Sequence, residues 1–392
     1  MRSIGIATTS RADYGAILPI LRAIQADPDL YVKLYVSGAH LSPEFGLTVQ
    51  MIDQDGFPIE ERVEMLLSSD TPAGIAKSMG LGLAGFGQAF SRSAPDLLVV
   101  TGDRYEMLAV ALAALPFKIA VAHLGGGDLT EGAIDDSLRH CITKLSHLHF
   151  TATEEYARRV IQLGEDPSRV FVTGEPALDD AQNSANVSPT VLEEQFGVDV
   201  KRPFLVVTFH PVTLEYEQAE WQVDELLAAL QAANLSVVFT MPNADTASRI
   251  IAAKMRQWVR VNGGVFVENF GTHAYRSLIS YAAAMVGNSS SGIIESPSFQ
   301  VPTVNIGTRQ ERRVRAQNVI DVGYRREDIL AGIGRAIRED FRASLTSLVN
   351  PYANPKESAA SDIVSVLKTV QLGDRLIRKK FYNLATSLLP TG

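Results

Sequence analysis

Short, continuous apolar runs alternate with amphipathic stretches along most of this chain, and that alternation restricts its fold more than any other property. In the first half the strand-like runs are Ile4–Thr8, Val32–Val36, Leu97–Val100, Ile119–Ala122, Leu148–Ala152 and Val170–Thr173. Helical patterns such as Ile17–Ile24, Tyr105–Ala114 and Glu154–Leu163 separate them. The second half repeats the scheme with Phe204–Thr208, Val237–Thr240, Val265–Glu268, Ala284–Val286 and Thr303–Ile306. Strands that are apolar throughout, with helices between them, predict parallel sheets covered on both faces. Ala181–Lys201 carries no such run and sits between the two series. The expected organisation is therefore α/β, with two doubly wound Rossmann-like domains at 1–180 and 181–370 and a tail at 371–392. Ligands of such sheets bind at the carboxyl ends of the strands, which predicts a site in the cleft between the domains.

Composition agrees with this architecture and narrows the function. A length of 392 residues allows two or three domains at about 150 residues each. Hydrophobic residues make up 46% and charged residues 20%, the balance of a soluble globular chain. The 36 basic residues face 44 acidic ones, a net charge of −8, which speaks against sequence-independent nucleic-acid binding. Cys141 is the single cysteine, so no intrachain disulfide forms and a reducing compartment fits. Arg11 and Asp13 cut short the apolar start of the chain before a signal-peptide core develops. The most apolar stretch, Met107 to Leu124, is broken by Pro116 and Lys118 and reads as helix then strand. These features predict a cytoplasmic protein without a membrane span. The basic segment Arg375–Lys380 reads as solvated surface.

Three signals look chemical and point elsewhere. Gly80, Gly82 and Gly85 spell the dinucleotide fingerprint, which has meaning only between a strand and a helix start. Here the glycines follow the helical pattern Ile75–Met79, so close helix packing is expected and a nicotinamide cofactor is rejected. His140, His147 and His149 with Cys141 match no zinc spacing, so no metal is expected. Gly287-Asn288-Ser289-Ser290-Ser291-Gly292 is not the G-x-S-x-G elbow of a serine hydrolase.

That serine run nevertheless follows a strand and precedes an expected helix near Ile293, a place where backbone N–H groups and the helix dipole favour an anion. Glu295, a turn later, can accept both hydroxyls of a ribose, and Arg309, Arg312, Arg313 and Arg315 add positive charge. His210 and Asn243 follow strands of the same half. A nucleotide diphosphate fits this set. The first half offers carboxylates instead. Asp103 follows one strand, and Asp128, Glu131, Asp135 and Asp136 follow another behind Gly125-Gly126-Gly127. Singly each would be an ordinary helix cap; together, at two strand ends, they suggest acid–base work. Arg11 and Asp13 join the same rim after the first strand.

The chain resembles the hydrolysing UDP-N-acetylglucosamine 2-epimerases, two-domain proteins of glycosyltransferase-B type. The resemblance rests on Ser10-Arg11-Ala12-Asp13-Tyr14-Gly15, Thr101-Gly102-Asp103-Arg104-Tyr105-Glu106, Thr130-Glu131-Gly132-Ala133-Ile134-Asp135 and Arg139-His140 through His149-Phe150. It continues in Pro242-Asn243-Ala244-Asp245, in Gly287 through Glu295, in Asn305-Ile306-Gly307-Thr308-Arg309-Gln310 and in Asn350-Pro351-Tyr352. It implies that Asp103, Asp128 and Asp135 are catalytic, with Arg104 and Glu131 on the sugar side. It further implies that Arg11, His210, Asn243, Ser289, Ser290, Ser291, Gly292, Glu295 and Arg313 hold the nucleotide diphosphate. The implied reaction converts UDP-N-acetylglucosamine, or a 2,4-diacetamido-6-deoxy relative, to a free mannosamine-type sugar and UDP. No cofactor or metal is implied, and the assembly is expected to be a homodimer or homotetramer. The alternatives are a glycosyltransferase of the same fold and a non-hydrolysing epimerase. Where the family commonly shows His-x-His-Gly-Gly-Glu, this chain has Gly125 and Asp128. Asp is shorter than Glu by roughly 1.5 Å, and a displacement of about 1 Å at a reacting centre can cost on the order of 100-fold.

Overall fold

The computed structural model describes residues 1–69, 71–179, 187–243, 245–356 and 358–384. The first series of elements is β1 (Arg2–Thr8), α1 (Arg11–Ala26), β2 (Leu30–Ser37), α2 (Val49–Gln54), β3 (Ile59–Val63), α3 (Pro72–Arg92), β4 (Leu97–Thr101), α4 (Tyr105–Ala114), β5 (Ala120–Leu124), α5 (Asp135–Leu145), β6 (Leu148–Thr151), α6 (Glu154–Gln162) and β7 (Val170–Val172). The second comprises α7 (Pro189–Phe196), β8 (Phe204–Thr208), α8 (Ala219–Ala233), β9 (Ser236–Thr240), α9 (Ser248–Asn262), β10 (Val265–Val267), α10 (Gly271–Tyr281), β11 (Ala284–Gly287), α11 (Ser291–Ile294), β12 (Thr303–Ile306), β13 (Val319–Val322) and α12 (Arg326–Ala336). The short α13 (Glu339–Ala343), then α14 (Ala359–Thr369) and α15 (Asp374–Ile377), complete the described chain.

Both sheets are parallel, as the unbroken apolar strands require. The first has the order β3-β2-β1-β4-β5-β6-β7 and the second β10-β9-β8-β11-β12-β13. Alternate residues of one strand feed opposite cores, because side chains leave a strand with a period of two. Ile4, Ile6, Leu97 and Val99 pack on one face of the first sheet, Ala7, Leu98 and Val100 on the other. In the second sheet Leu205 and Val207 part from Phe204 and Val206 in the same way. Strand order reverses between β1 and β4 and between β8 and β11. Those two switch points are where doubly wound sheets leave a crevice.

β3 and β13 lie outside the expected strand set. Each is an edge strand with one free hydrogen-bonding side, and edges tolerate or prefer charge. Ile59-Glu60-Glu61-Arg62-Val63 therefore lacks the apolar continuity that marks a central strand. The glycine fingerprint lies wholly inside α3. A Cβ on Gly82 or Gly85 would press on Met65 or Val63, whereas Gly80 faces open space, so two of the three glycines serve packing.

The expected division between the domains near 181 falls in 180–186, outside the described residues. The other end of the second domain differs from expectation. Ala360, Ile363, Val364 and Leu367 of α14, with Leu376 of α15, pack into the first domain's core beside Ile17, Leu21 and Ile24. The chain thus returns to its first sheet before residue 370. The basic segment that follows is partly anchored there as well. Lys379 donates to the Lys144 carbonyl at 2.8 Å and pairs with the buried Glu165 at 2.7 Å. No helix among the described residues is long and apolar enough to cross a membrane.

Leu367 is fully buried in the core of the first domain, on the far side of the second domain in sequence. Leu367→Ala should destabilise that domain by about 2–4 kcal/mol through lost burial and the cavity left behind. Denaturant unfolding followed by the fluorescence of a reporter in the first domain checks this; an unchanged midpoint would place α14 outside the core.

Candidate active site

Groups from the strand ends beside both switch points, with loops from the neighbouring strands, line one cleft of about 370 Å³, within the usual range for small-molecule sites. Arg11 comes from the end of β1, Asp103 from β4, Asp128 and Asp135 from β5, His210 from β8, Asn243 from β9 and Ser289 to Ser291 from β11. Arg104, Glu295 and Arg313 also line it. Gly292 and Glu131 do not. Gly292 lies against Thr303, where a Cβ would come within 2.7 Å of a methyl carbon, so it serves helix–strand packing. Glu131 is exposed outside the cleft and paired at 3.4 Å with the exposed Arg312, a solvent-screened contact across the domain seam.

Asp13 is a structural acid. Its carboxylate accepts from the Thr9 and Ser10 backbone N–H groups and from the hydroxyls of Thr8, Thr9 and Ser10, which fixes the start of α1. That cap presents Arg11, whose guanidinium bonds the Glu268 carbonyl of the second domain.

The three candidate catalytic carboxylates stand in different electrostatic surroundings. Asp103 follows Gly102, whose carbonyl accepts from Nε2 of buried His123 at 2.7 Å. Burial pushes that imidazole down to about 3, so it stays neutral and steadies the turn. Asp103 is ion-paired with Arg139. Burial opposes its ionisation, but Arg139, Arg313, Arg309 and Arg104 together hold its carboxyl below the ordinary value. Asp135 opens α5, is 7% exposed, and has no side-chain hydrogen bond or ion pair among the described residues. Burial, reinforced by Asp103 and Asp245, pushes it up to about 7. Two neighbouring carboxyls driven apart in this way form an ionised partner and a proton carrier. Asp128 is different again. It pairs with Arg313 across the cleft at 2.8 Å and accepts from its own Leu129 N–H at 2.9 Å. The loop before it turns tightly at Gly127 (φ +78°), where a Cβ would come within 2.2 Å of the Tyr156 carbonyl oxygen.

Asn288 welds the ends of β8 and β11 together. Its side chain accepts from His210 N–H at 2.7 Å and donates to the His210 carbonyl at 2.9 Å. The Asn288 carbonyl in turn accepts from Arg309 and Gln310. Gly287 permits this closeness, since at φ +135° a Cβ would meet the Thr208 carbonyl oxygen at 1.9 Å. The Asn243 N–H donates to His210 Nδ1 at 3.1 Å, which leaves the ring proton on Nε2. Burial, with Arg309, Arg104 and Arg11 nearby, keeps His210 well below the usual histidine range. Its Nε2–H is therefore available as a neutral donor. The helix expected near Ile293 is only the one-turn α11, continued by a 3-10 turn, so the serine run is less an extended dipole than a bend of polar groups. Arg313 spends Nε on the Leu129 carbonyl and Nη2 on Asp128, which leaves buried Nη1 without a partner. Arg104 is held between Glu106 and Asp245, at 3.0 Å from each.

Two cleft residues have roles that emerge only from the fold. Arg139, 1% exposed, donates to the Asp128 carbonyl and the Thr130 hydroxyl as well as pairing with Asp103, so it ties both acidic loops together. Its position four residues after Asp135 was the available signal. Glu175 follows β7 and lies near Asp128 and Glu295; burial, helped by both, pushes its carboxyl up to about 7. A strand end was the only sequence mark it carried. Two expected non-ligands are engaged structurally: His147 Nδ1 accepts from Val121 N–H, and His149 Nε2 meets Glu165 at 3.0 Å.

Residues 22–368 match a sequence family described as UDP-N-acetylglucosamine 2-epimerase. The chain is 41% identical over 323 residues to a GDP/UDP-N,N'-diacetylbacillosamine 2-epimerase (hydrolyzing) of Campylobacter jejuni, covering 82% of this chain and 84% of the relative. It is 33% identical to a UDP-N,N'-diacetylbacillosamine 2-epimerase (hydrolyzing) of Legionella pneumophila, over 97% of this chain and 99% of that one. In fold it is similar to the crystal structure of a UDP-GlcNAc 2-epimerase from Neisseria meningitidis bound to UDP-GlcNAc, with a TM-score of 0.78 and 18% identity. The match covers 94% of this chain and 99% of the other.

The raised pKa of Asp135 is also a statement about stability. Between the ordinary carboxyl value and about 7, the folded state binds this proton and the unfolded state does not. The neutral carboxyl's contribution is intact at low pH and is lost as pH rises through 7. Asp135→Asn removes that slope, so the variant should gain stability relative to the natural protein between pH 5 and pH 8. Denaturant unfolding at the two pH values checks the sign; a constant difference would contradict it.

Proposed function

This chain belongs to the UDP-N-acetylglucosamine 2-epimerase family, and we propose that it is a hydrolysing epimerase of a UDP-linked 2-acetamido sugar, which it releases as the free C2 epimer. The observation that carries this is the contrast between Asp103, kept ionised by Arg139, and Asp135, poised near neutral beside it. Both face the serine bend, neutral His210 and the free Arg313 Nη1 across the cleft.

The C2 proton of such a sugar has no adjacent carbonyl, so direct removal is too costly. Breaking the C1–oxygen bond sends its electron pair to the diphosphate and leaves oxocarbenium character at C1, which acidifies C2–H. Asp103 stabilises that positive charge. Asp135 exchanges the C2 proton at a cost that its near-neutral pKa keeps low. His210 Nε2–H, the serine bend and Arg313 Nη1 receive the charge growing on UDP. Water then adds its hydroxyl to C1 of the 2-acetamidoglycal, and a proton returns to the opposite face of C2. The net reaction consumes one water.

The substrate we favour carries a second acetamido group at C4. The family's second His is Gly125 here, and a Cβ at that position would have nothing nearer than the Gly102 backbone at 3.8 Å, so the loop leaves room beside the sugar. The hydrolysing relatives named for N,N'-diacetylbacillosamine support the same substrate.

Incubation with UDP-N,N'-diacetylbacillosamine in deuterated water, without an acceptor, should yield UDP and a free sugar labelled at C2. A nucleotide-linked epimer would indicate the non-hydrolysing reaction, and turnover only with an added alcohol a glycosyltransferase. Asp135→Asn should lower kcat/KM by at least about 100-fold, the scale of a lost acid–base group, while UDP affinity, read by calorimetry, changes only a few-fold. Asp128→Glu should move preference towards UDP-N-acetylglucosamine. Full activity in Asp135→Asn would remove that carboxylate from the mechanism.

A further inference from the structure

Arg276 is an unusual residue for its position. It lies on α10, is 3% exposed, and lines the cleft. One of its nitrogens, Nη2, donates to the Ala177 carbonyl. Nε and Nη1 are buried without a hydrogen-bond partner. Leaving charged donors unpaired away from water is costly, so a native structure that keeps them invites an explanation in function. Their nearest charge is Glu295, with Nε 3.6 Å from Oε1. That separation is too long for a direct hydrogen bond, although the two groups attract. One hydroxyl between them satisfies both: its oxygen accepts from the guanidinium and its hydrogen goes to the carboxylate.

We propose that Arg276 is a nucleotide-binding residue that acts with Glu295 as a donor–acceptor clamp on one ribose hydroxyl. The assignment rests on the reading of this cleft as a UDP-sugar site and adds to it a cation that the serine run and the downstream arginines do not supply. The Ala177 carbonyl, on the 3-10 turn after β7, fixes the guanidinium plane, so the clamp is preorganised. It also gives the site a reason to reject deoxyribose. A buried donor and acceptor built around a hydroxyl are left facing each other when that hydroxyl is missing.

The test is calorimetric titration of the full chain with UDP, 2′-deoxy-UDP and 3′-deoxy-UDP. The natural protein should bind UDP at least tenfold tighter than one of the two analogues. Arg276→Leu should lose tenfold or more for UDP and less than twofold for that analogue, so that discrimination collapses. Arg276→Lys, which keeps charge without the fork, should fall between and covers the case in which the leucine variant does not fold. Equal losses for all three ligands would make Arg276 a packing residue and overturn the proposal, as would unchanged discrimination in both variants. Glu295→Gln separates the two levels of inference. If it abolishes discrimination and the Arg276 variants do not, the clamp fails and the nucleotide site stands. If the natural protein does not bind UDP, both fail.

Discussion

Arg313 reaches from the loop after β12 into the first domain, where it meets Asp128, the Leu129 carbonyl and the Thr130 hydroxyl, and the rest of the cleft is arranged around that contact. Each domain alone would leave rim charges without their partners, Asp128 and Arg104 on one side and Arg313 and Asp245 on the other. Docked, they neutralise one another in part. Arg104 meets Asp245 in the opposite sense, an arginine of the first domain against a carboxylate of the second, and Arg11 meets the Glu268 carbonyl. Breaking a buried pair of this kind costs about 3–5 kcal/mol because the abandoned charge stays out of water. Domain position and charge state are therefore one property.

The carboxyl contrast follows from this arrangement. Asp103 and Asp135 are chemically identical and share the same low-dielectric surroundings. Arg139 stands in direct contact with Asp103, whereas Asp135 has no arginine in ion-pair contact and feels Asp103 and Asp245 more strongly than Arg309 and Arg104. One ionises readily and the other resists. A site that needed two carboxylates of the same kind would have distributed its arginines evenly.

Most of the architecture was legible in the sequence because central parallel strands are buried on both faces and cannot hide their apolar runs. β3 and β13 escaped because edge strands have no such obligation, and Glu60, Glu61 and Arg62 satisfy the exposed side instead. The rim residues were legible as a set, since a strand end followed by Gly and Asp or by serines is local information. What each residue does there was not. Glu131 and Asp128 sit three residues apart on one loop, yet one is exposed beside Arg312 and the other buried against Arg313. Arg139 and Arg276 are ordinary helix residues until the fold shows what they face. Asp13 shows the reverse error, an acid in the right block whose lone pairs are consumed by its own turn.

The return of α14 to the first sheet has a consequence in time as well as in space. Ile363 and Leu367 complete a core whose other members begin at Ile4, and a ribosome makes every residue of the second sheet in between. Domains made early in synthesis ordinarily fold early. Here the first core lacks α14 until the second sheet has been made, and the apolar groove for that helix stays open until then. During that interval the nascent chain presents Ile17, Leu21 and Ile24 to whatever else is in solution. A chain interrupted before residue 359 therefore carries most of the site and none of the helix that completes the core of its first half.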